Sequence, residues 1–312
     1  MSEKVVDITE KVVKKNSNKL QRYHAGDIIF EIFLVLFMLI FVFVTLYPII
    51  NTLAVSFNDG FDTIVHRIHF IPHAPTLDNY KAVFAKEGYR WGAVNTVART
   101  ILGTLISLVV NAILAYVISR KRFLFKKSFS LFWVVTMYVN GGLIPTYIVF
   151  QKLGLINNFL VYIIPGAASA FNMLVIRNYM NGIPDSLEES AQIDGAGYFK
   201  IFYSIISPLC KPVYATIALF VAVYHWNSWF DAMLYNKMKD NLTVLQYELM
   251  KQLQTAMATQ GSVEGLKNGG TTITPTSIRA AATIVTMVPI LCIYPFLQRY
   301  FVTGLTIGGV KE

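Results

Sequence analysis

The chain has 312 residues, of which 54% are hydrophobic and only 14% charged, with a mean hydropathy of +0.50. Soluble domains carry about 25% charged residues, so the composition excludes an ordinary soluble enzyme or binding module. The formal net charge of +9 is gathered into short segments beside apolar runs, a pattern of membrane anchoring rather than of nucleic-acid binding.

In chain order, a basic leader (residues 1–26) comes first, followed by the uncharged run Ile32–Ile50. A helix rising about 1.5 Å per residue crosses a ~30 Å hydrocarbon core over such a run. It is too long for a signal peptide and no small-residue cleavage site follows, so it reads as a retained first span. Five further spans are expected at Asn95–Ile118, Leu131–Phe150, Phe159–Met180, Val213–Phe230 and Ile278–Phe301. The expectation is an all-α integral membrane protein, with residues 27–312 forming one transmembrane domain of six spans.

Lysine and arginine orient these spans. Six lie in the leader (Lys4, Lys11, Lys14, Lys15, Lys19, Arg22), and five lie within eight residues of the second loop (Arg120, Lys121, Arg122, Lys126, Lys127). The long loops 54–94 and 231–277 carry four each, diluted over many more residues. The positive-inside rule therefore puts both termini, the second loop and the 181–212 loop in the cytoplasm, with the two long loops outside.

Reactive groups are sparse. Cys210 and Cys292 both fall in or beside expected spans, and two buried, distant thiols suggest neither a disulfide nor a zinc site. Gly265-Leu266-Lys267 has the wrong spacing for a phosphate-binding loop. His24, His66, His69, His73 and His225 are scattered, with no metal-ligand pairing expected on one helix. Lys251–Thr276 is polar and glycine-rich and reads as a surface loop.

The 181–212 loop is the exception to this quiet. Pro184 ends the fourth span. Ser186 and Glu189 have capping-box spacing and predict a short helix from Leu187 to about Ile193. Gly195-Ala196-Gly197 breaks it, and a second helix starts at Tyr198 with Phe199, Phe202 and Ile206 expected on one face. Asp185, Glu188, Glu189 and Asp194 make this an acidic patch on a basic surface. A helix lying on the membrane is the ordinary account, but such helices favour Lys and Arg on the polar face. An acidic helix with aromatic anchors suits a partner's groove better.

Glu189-Ser190-Ala191, then Asp194-Gly195-Ala196, then Phe202, Ile205 and Pro208 resemble the EAA signature of permease subunits in binding-protein-dependent ABC importers. Ser190 and Ser207 depart from the family's Ala and Leu, both leaving the glycine spacing intact. Thr76–Tyr80, Asn95-Thr96, Arg99-Thr100, Gly103-Thr104, Asn140–Tyr147, Leu153–Leu155 and the tail Phe301–Lys311 are similar to sugar permeases of the LplC/YtcP type. The resemblance implies the MetI-like fold of type I importers in the bacterial cytoplasmic membrane. It also implies a second, non-identical permease subunit, two cytoplasmic ATPase subunits and an extracytoplasmic solute-binding protein or lipoprotein. ATP and Mg would be used by the ATPase, with no cofactor or metal on this chain, and the cargo would be a carbohydrate of oligosaccharide type. Carried onto this chain, the coupling segment comprises Glu188, Glu189, Ser190, Ala191, Asp194, Gly195, Ala196, Phe199, Phe202 and Pro208.

Polar residues at membrane depth normally face a cavity. Two clusters qualify as a substrate pathway: Tyr138, Asn140 and Gly141, at a break in the third span, and Tyr224, His225, Trp226, Asn227, Trp229 and Asp231. Aromatic faces stack on sugar rings, and amide and carboxylate groups answer hydroxyls. An interfacial aromatic belt accounts equally well for Trp226 and Trp229, and helix packing accounts for Asn140 and the glycines. Three other readings stand beside this one: an ABC permease for a non-sugar solute, a self-contained secondary transporter, and a membrane enzyme. The transporter would show internal repeats, and the enzyme a cluster of nucleophile, base and metal ligand.

Overall fold

The structure, a computed structural model, describes residues 25–259 and 273–306. Most of the basic leader, the Gly265–Lys267 segment, residues 260–272 of the last long loop and the tail beyond Thr306 lie outside the described residues. The chain divides into two compact units, Met1–Asn51 and Thr52–Glu312.

The first unit is carried by α1 (Ala25–Ser56), 32 residues long and so about 48 Å end to end. From Ile28 to Leu46 its apolar side chains are exposed on every side, as a helix solvated by lipid requires. The Thr45 hydroxyl donates to Phe41 O at 2.8 Å, which satisfies it without water.

The second unit is built on α4 (Glu87–Ser119). One stripe of this helix, Asn95, Arg99, Gly103, Ser107 and Asn111, repeats every four residues and is buried. Four-residue spacing keeps neighbouring members on one face, and Asn95, Arg99, Gly103 and Asn111 each meet another segment. Asn95 donates to the carbonyls of Asn241 and Thr243 at 2.7 and 2.8 Å. Asn111 donates to Ala167 O at 3.0 Å and accepts from Ser169 N at 2.9 Å.

Around α4 lie α7 (Ala170–Met180), α10 (Lys211–Asn227) and α12 (Leu245–Thr259), and α13 (Pro275–Thr306) packs on α10 and α12. The deepest core joins α4, α7, α10 and the segment before α10, through Ile118, Met173, Ile176, Met180, Ile201, Ile206, Cys210 and Ile217. Loop 54–94 holds α2 (Gly60–Val65) and α3 (Asp78–Ala85).

Among the described residues, three helices are long and apolar enough to cross a membrane, or up to five if each bent pair is one span. The third expected span breaks into α5 (Lys126–Tyr138) and α6 (Leu143–Lys152), bent by 116°. The fourth, Phe159–Met180, is not a continuous helix. It resolves into a 3-10 turn (Phe159–Tyr162), an irregular stretch containing Pro165 and Gly166, and the eleven residues of α7. At about 16 Å α7 is shorter than a hydrocarbon core.

Smaller expectations also change. Cys210 is buried, but Cys292 is exposed. Part of the Lys251–Thr276 loop is helical, since α12 runs to Thr259. The histidines are not all scattered, because His66 and His73 share a cluster with Asp62.

Candidate functional site

Two surfaces of the second unit carry the residues that sequence singled out. The first is a cleft of about 730 Å³ at the C-terminal end of α10. Its wall includes Thr146 and Phe150 of α6, Tyr162, Pro165 and Gly166, then Tyr224, Asn227, Ser228, Trp229, Asp231 and Tyr235. The chain turns sharply there because α10 ends at Asn227 and Ser228 is extended, before α11 (Phe230–Tyr235) begins.

Asp231 is held from behind. Arg99, with no exposed side-chain surface, reaches its Oδ1 at 3.2 Å and its Oδ2 at 2.5 Å. Arg99 also donates to Ser228 O at 3.3 Å and stacks 4.4 Å over the Tyr162 ring. The planar guanidinium suits such a two-toothed, ring-backed site in a way lysine does not. Asp231 Oδ1 accepts a further bond from Ala232 N at 2.9 Å, so the carboxylate is engaged by the protein. What the cleft offers a ligand is aromatic: Tyr224 is 63% exposed, and the half-buried Trp229 also lines the wall. Rings with a few polar groups between them match the two faces of a sugar.

Of the expected pathway residues, Tyr224, Asn227, Trp229 and Asp231 line this cleft. His225 instead packs against Gly103 and is buried. Trp226 points to α13, its indole N–H donating to Thr286 O at 2.9 Å. Neither belongs to the cleft wall. Tyr138, Asn140 and Gly141 sit at the α5–α6 break, all exposed and outside the cleft wall. Asn140 Oδ1 accepts from Gly142 N at 2.8 Å, and Gly142 has φ +85°. Asn140 and the glycines thus form a turn rather than a helix-packing surface, since no heavy atom stands within 4 Å of a Cβ built at Gly141. Sequence reasoning did not place Arg99, Phe150, Tyr162 or Tyr235 at the site. Arg99 was findable, because a charge on an apolar helix four residues from Asn95 and Gly103 marks a packed polar stripe.

The second surface is an elbow of two helices. The first, α8 (Asp185–Ile193), has Pro184 at its cap and no side-chain cap bond. The expected Ser186–Glu189 capping box does not form, because the helix starts at Asp185 and Ser186 already lies within it. Gly195, at φ +79°, turns the chain into α9 (Tyr198–Leu209), which is bent 79° from α10.

Within α9 the stretch Phe202–Ile206 is π-helical. The wider turn brings residues five apart onto one side, so Ile201 and Ile206 are both buried. Phe199 therefore does not share a face with Ile206 and is 78% exposed, while Phe202 is half-buried with its ring 5.0 Å from Tyr116. Glu188 faces inward, paired with Arg120, which also covers the Tyr116 ring. Ala191 is buried and Ala196 half-buried. Lys121 pairs with Asp185 and holds that carboxyl below its usual range by hydrogen bond and charge. Left facing outward are Glu189, Ser190, Asp194 and Pro208, with Ile193, Phe199 and Tyr203 forming an apolar set 72–87% exposed.

No family model matches the sequence. Among curated proteins the chain is 33% identical over 284 residues to the polygalacturonan/rhamnogalacturonan transport system permease protein YtcP of Bacillus subtilis, covering 91% of this chain and 98% of that protein. It is 32% identical over 268 residues to Protein LplC of the same organism, covering 86% and 90%. Among solved structures it matches a chain of a bacterial ABC transporter that imports the acidic polysaccharide alginate, with a TM-score of 0.79 and 29% identity over 89% of this chain and 99% of that one. The chain belongs to the family of sugar ABC transport permeases.

Proposed function

We propose that this chain is one half of the membrane pathway of an ATP-driven, binding-protein-dependent importer of oligosaccharides in the bacterial cytoplasmic membrane. On this reading the irregular stretch before α7 completes a broken fourth span, and six spans carry both termini on the cytoplasmic side, the charge asymmetry setting the orientation. A homologous, non-identical permease subunit closes the other side of the cleft, and an extracytoplasmic solute-binding protein delivers the sugar. The motor is a pair of separate ATPase subunits that use ATP and Mg, and the transport step draws on no cofactor of this chain.

The observation that carries the reading is the outward apolar set on the elbow, Ile193, Phe199 and Tyr203. These side chains sit among Glu189, Ser190 and Asp194, a mixture suited to a protein groove rather than to lipid. Glu188 is tied to Arg120, so motion imposed on α8 passes to the end of α4. Tyr224 and Trp229 supply sugar-stacking faces, with Asn227 between them.

Gly195→Asp and Glu189→Lys test the coupling role. Open space surrounds Gly195, so an aspartate there costs only about 1–2 kcal/mol of backbone strain and leaves the chain folded. Both variants are expected at normal amounts in the membrane, with sugar uptake abolished and copurification of the ATPase weakened. Full uptake by either variant sinks the coupling role, and uptake by the purified polypeptide alone sinks the whole reading.

A further inference from the structure

The loop between α1 and α4 brings together three metal-ligating side chains for which the transport reading has no use. Asp62 lies on α2, and His66, four residues on, is its C-cap. His73 returns to the same place from farther along the loop. One donor atom from each of Asp62, His66 and His73 lies within 4.8 Å of the other two.

The backbone explains the meeting. Asp59 caps α2 by accepting from Phe61 N at 2.9 Å and Asp62 N at 3.1 Å. Residues 57–59 pair with 74–76 through Asp59 N to Ala74 O at 2.9 Å and Thr76 N to Phe57 O at 2.7 Å, which closes the loop beside α2. Asn58 is fully buried at this closure. Its amide donates to Asp62 Oδ2 at 2.9 Å, and its Oδ1 accepts from Ala74 N at 2.8 Å. One buried side chain therefore aims the carboxylate and pins the segment that bears His73. Outer partners of this kind orient ligands in metal sites.

An ordinary surface ion pair accounts for His66, whose Nδ1 is 2.7 Å from Asp62 Oδ1. The second imidazole makes a longer contact, its Nδ1 standing 3.9 Å from Asp62 Oδ2, beyond hydrogen-bond reach, and its ring meets that of His66 edge-on at 6.0 Å. Ligands on a tetrahedral ion with bonds of about 2.0 Å stand about 3.3 Å apart, so donor atoms that lie within 4.8 Å of one another must draw together by at most about 1.5 Å. Both imidazoles are more than half exposed and free to make that adjustment.

We propose that Asp62, His66 and His73 form a binding site for one divalent transition-metal ion of the zinc class, with a further position open to water. Two imidazoles and one carboxylate select such ions over calcium and magnesium, which take all-oxygen shells. The ion staples α2 to the returning segment of the loop.

The test uses the full chain in detergent, purified without a polyhistidine tag and stripped with EDTA. Cobalt(II) titration is expected to give visible d–d absorption that saturates at one ion per chain and is displaced by zinc. His66→Ala and His73→Ala, which change exposed side chains, are each expected to weaken cobalt binding at least about tenfold, with unchanged gel-filtration elution. No saturable absorption in the wild type overturns the proposal, and so does a His66→Ala/His73→Ala chain that titrates like the wild type.

Discussion

At Gly103 a methyl group would stand 2.3 Å from His225 Nε2 and 2.7 Å from two ring carbons. The imidazole is itself buried and has little room to retreat, so Gly103→Ala forces α4 and α10 apart. Overpacking of this kind costs about 1–3 kcal/mol. The expected result is a lower melting temperature in detergent and less folded protein in the membrane. Adding His225→Ala restores most of the loss, as contacting residues couple by about 0.5–3 kcal/mol. A double variant no better than Gly103→Ala would falsify the contact. Arg99 imposes the second constraint at this scale. Removing one partner of a buried ion pair costs about 3–5 kcal/mol, so Asp231 variants perturb folding before they report on any sugar.

At the scale of elements, the elbow rests on one clamp. Glu188 and Arg120 join α8 to the residue after α4, and both side chains are mostly buried. Glu188→Ala and Arg120→Ala are each expected to loosen the α8–α9 elbow, seen as faster tryptic cutting at Lys200 on α9 and reduced uptake. The double variant should be no worse than either single one, because both remove the same tie. Additive losses would show that the two residues act separately. Much of this element was legible beforehand: run length exposed α1 and α4, and glycines marked both the elbow and the α5–α6 break. The register of α9 was not legible, because the π-helical stretch at Phe202–Ile206 displaces Phe199 from the face that a 3.6-residue period assigns it. Phe159–Met180 misled for a different reason. Its apolar run has the length of a span, yet Pro165 and Gly166 divide it, and hydropathy averages over such breaks.

For the whole molecule, the question is which aromatic residues face the pathway and which hold the helices together. Trp226 and Trp229 are indistinguishable in sequence, three residues apart at the end of one apolar run. In the fold they divide. Trp226 donates to Thr286 O on α13 and packs against the buried cluster that holds Tyr89 and Leu245, whereas Trp229 lines the cleft with Tyr224. Trp226→Ala therefore removes the bond to Thr286 O and packing of a half-buried ring, at a cost below the ~3–5 kcal/mol of a fully buried Trp to Ala change. It is expected to lower the amount of protein in the membrane, with uptake falling in proportion. Trp229→Ala and Tyr224→Ala remove stacking surface from the cleft without disturbing the helix bundle. Each is expected at normal amounts, with uptake per molecule reduced on the order of tenfold, the equivalent of about 1.4 kcal/mol. Quantitative immunoblotting beside radiolabelled oligosaccharide uptake separates the two classes. If Trp229→Ala lowers protein amount and leaves uptake per molecule unchanged, the cleft wall is structural and the sugar path runs along the partner subunit.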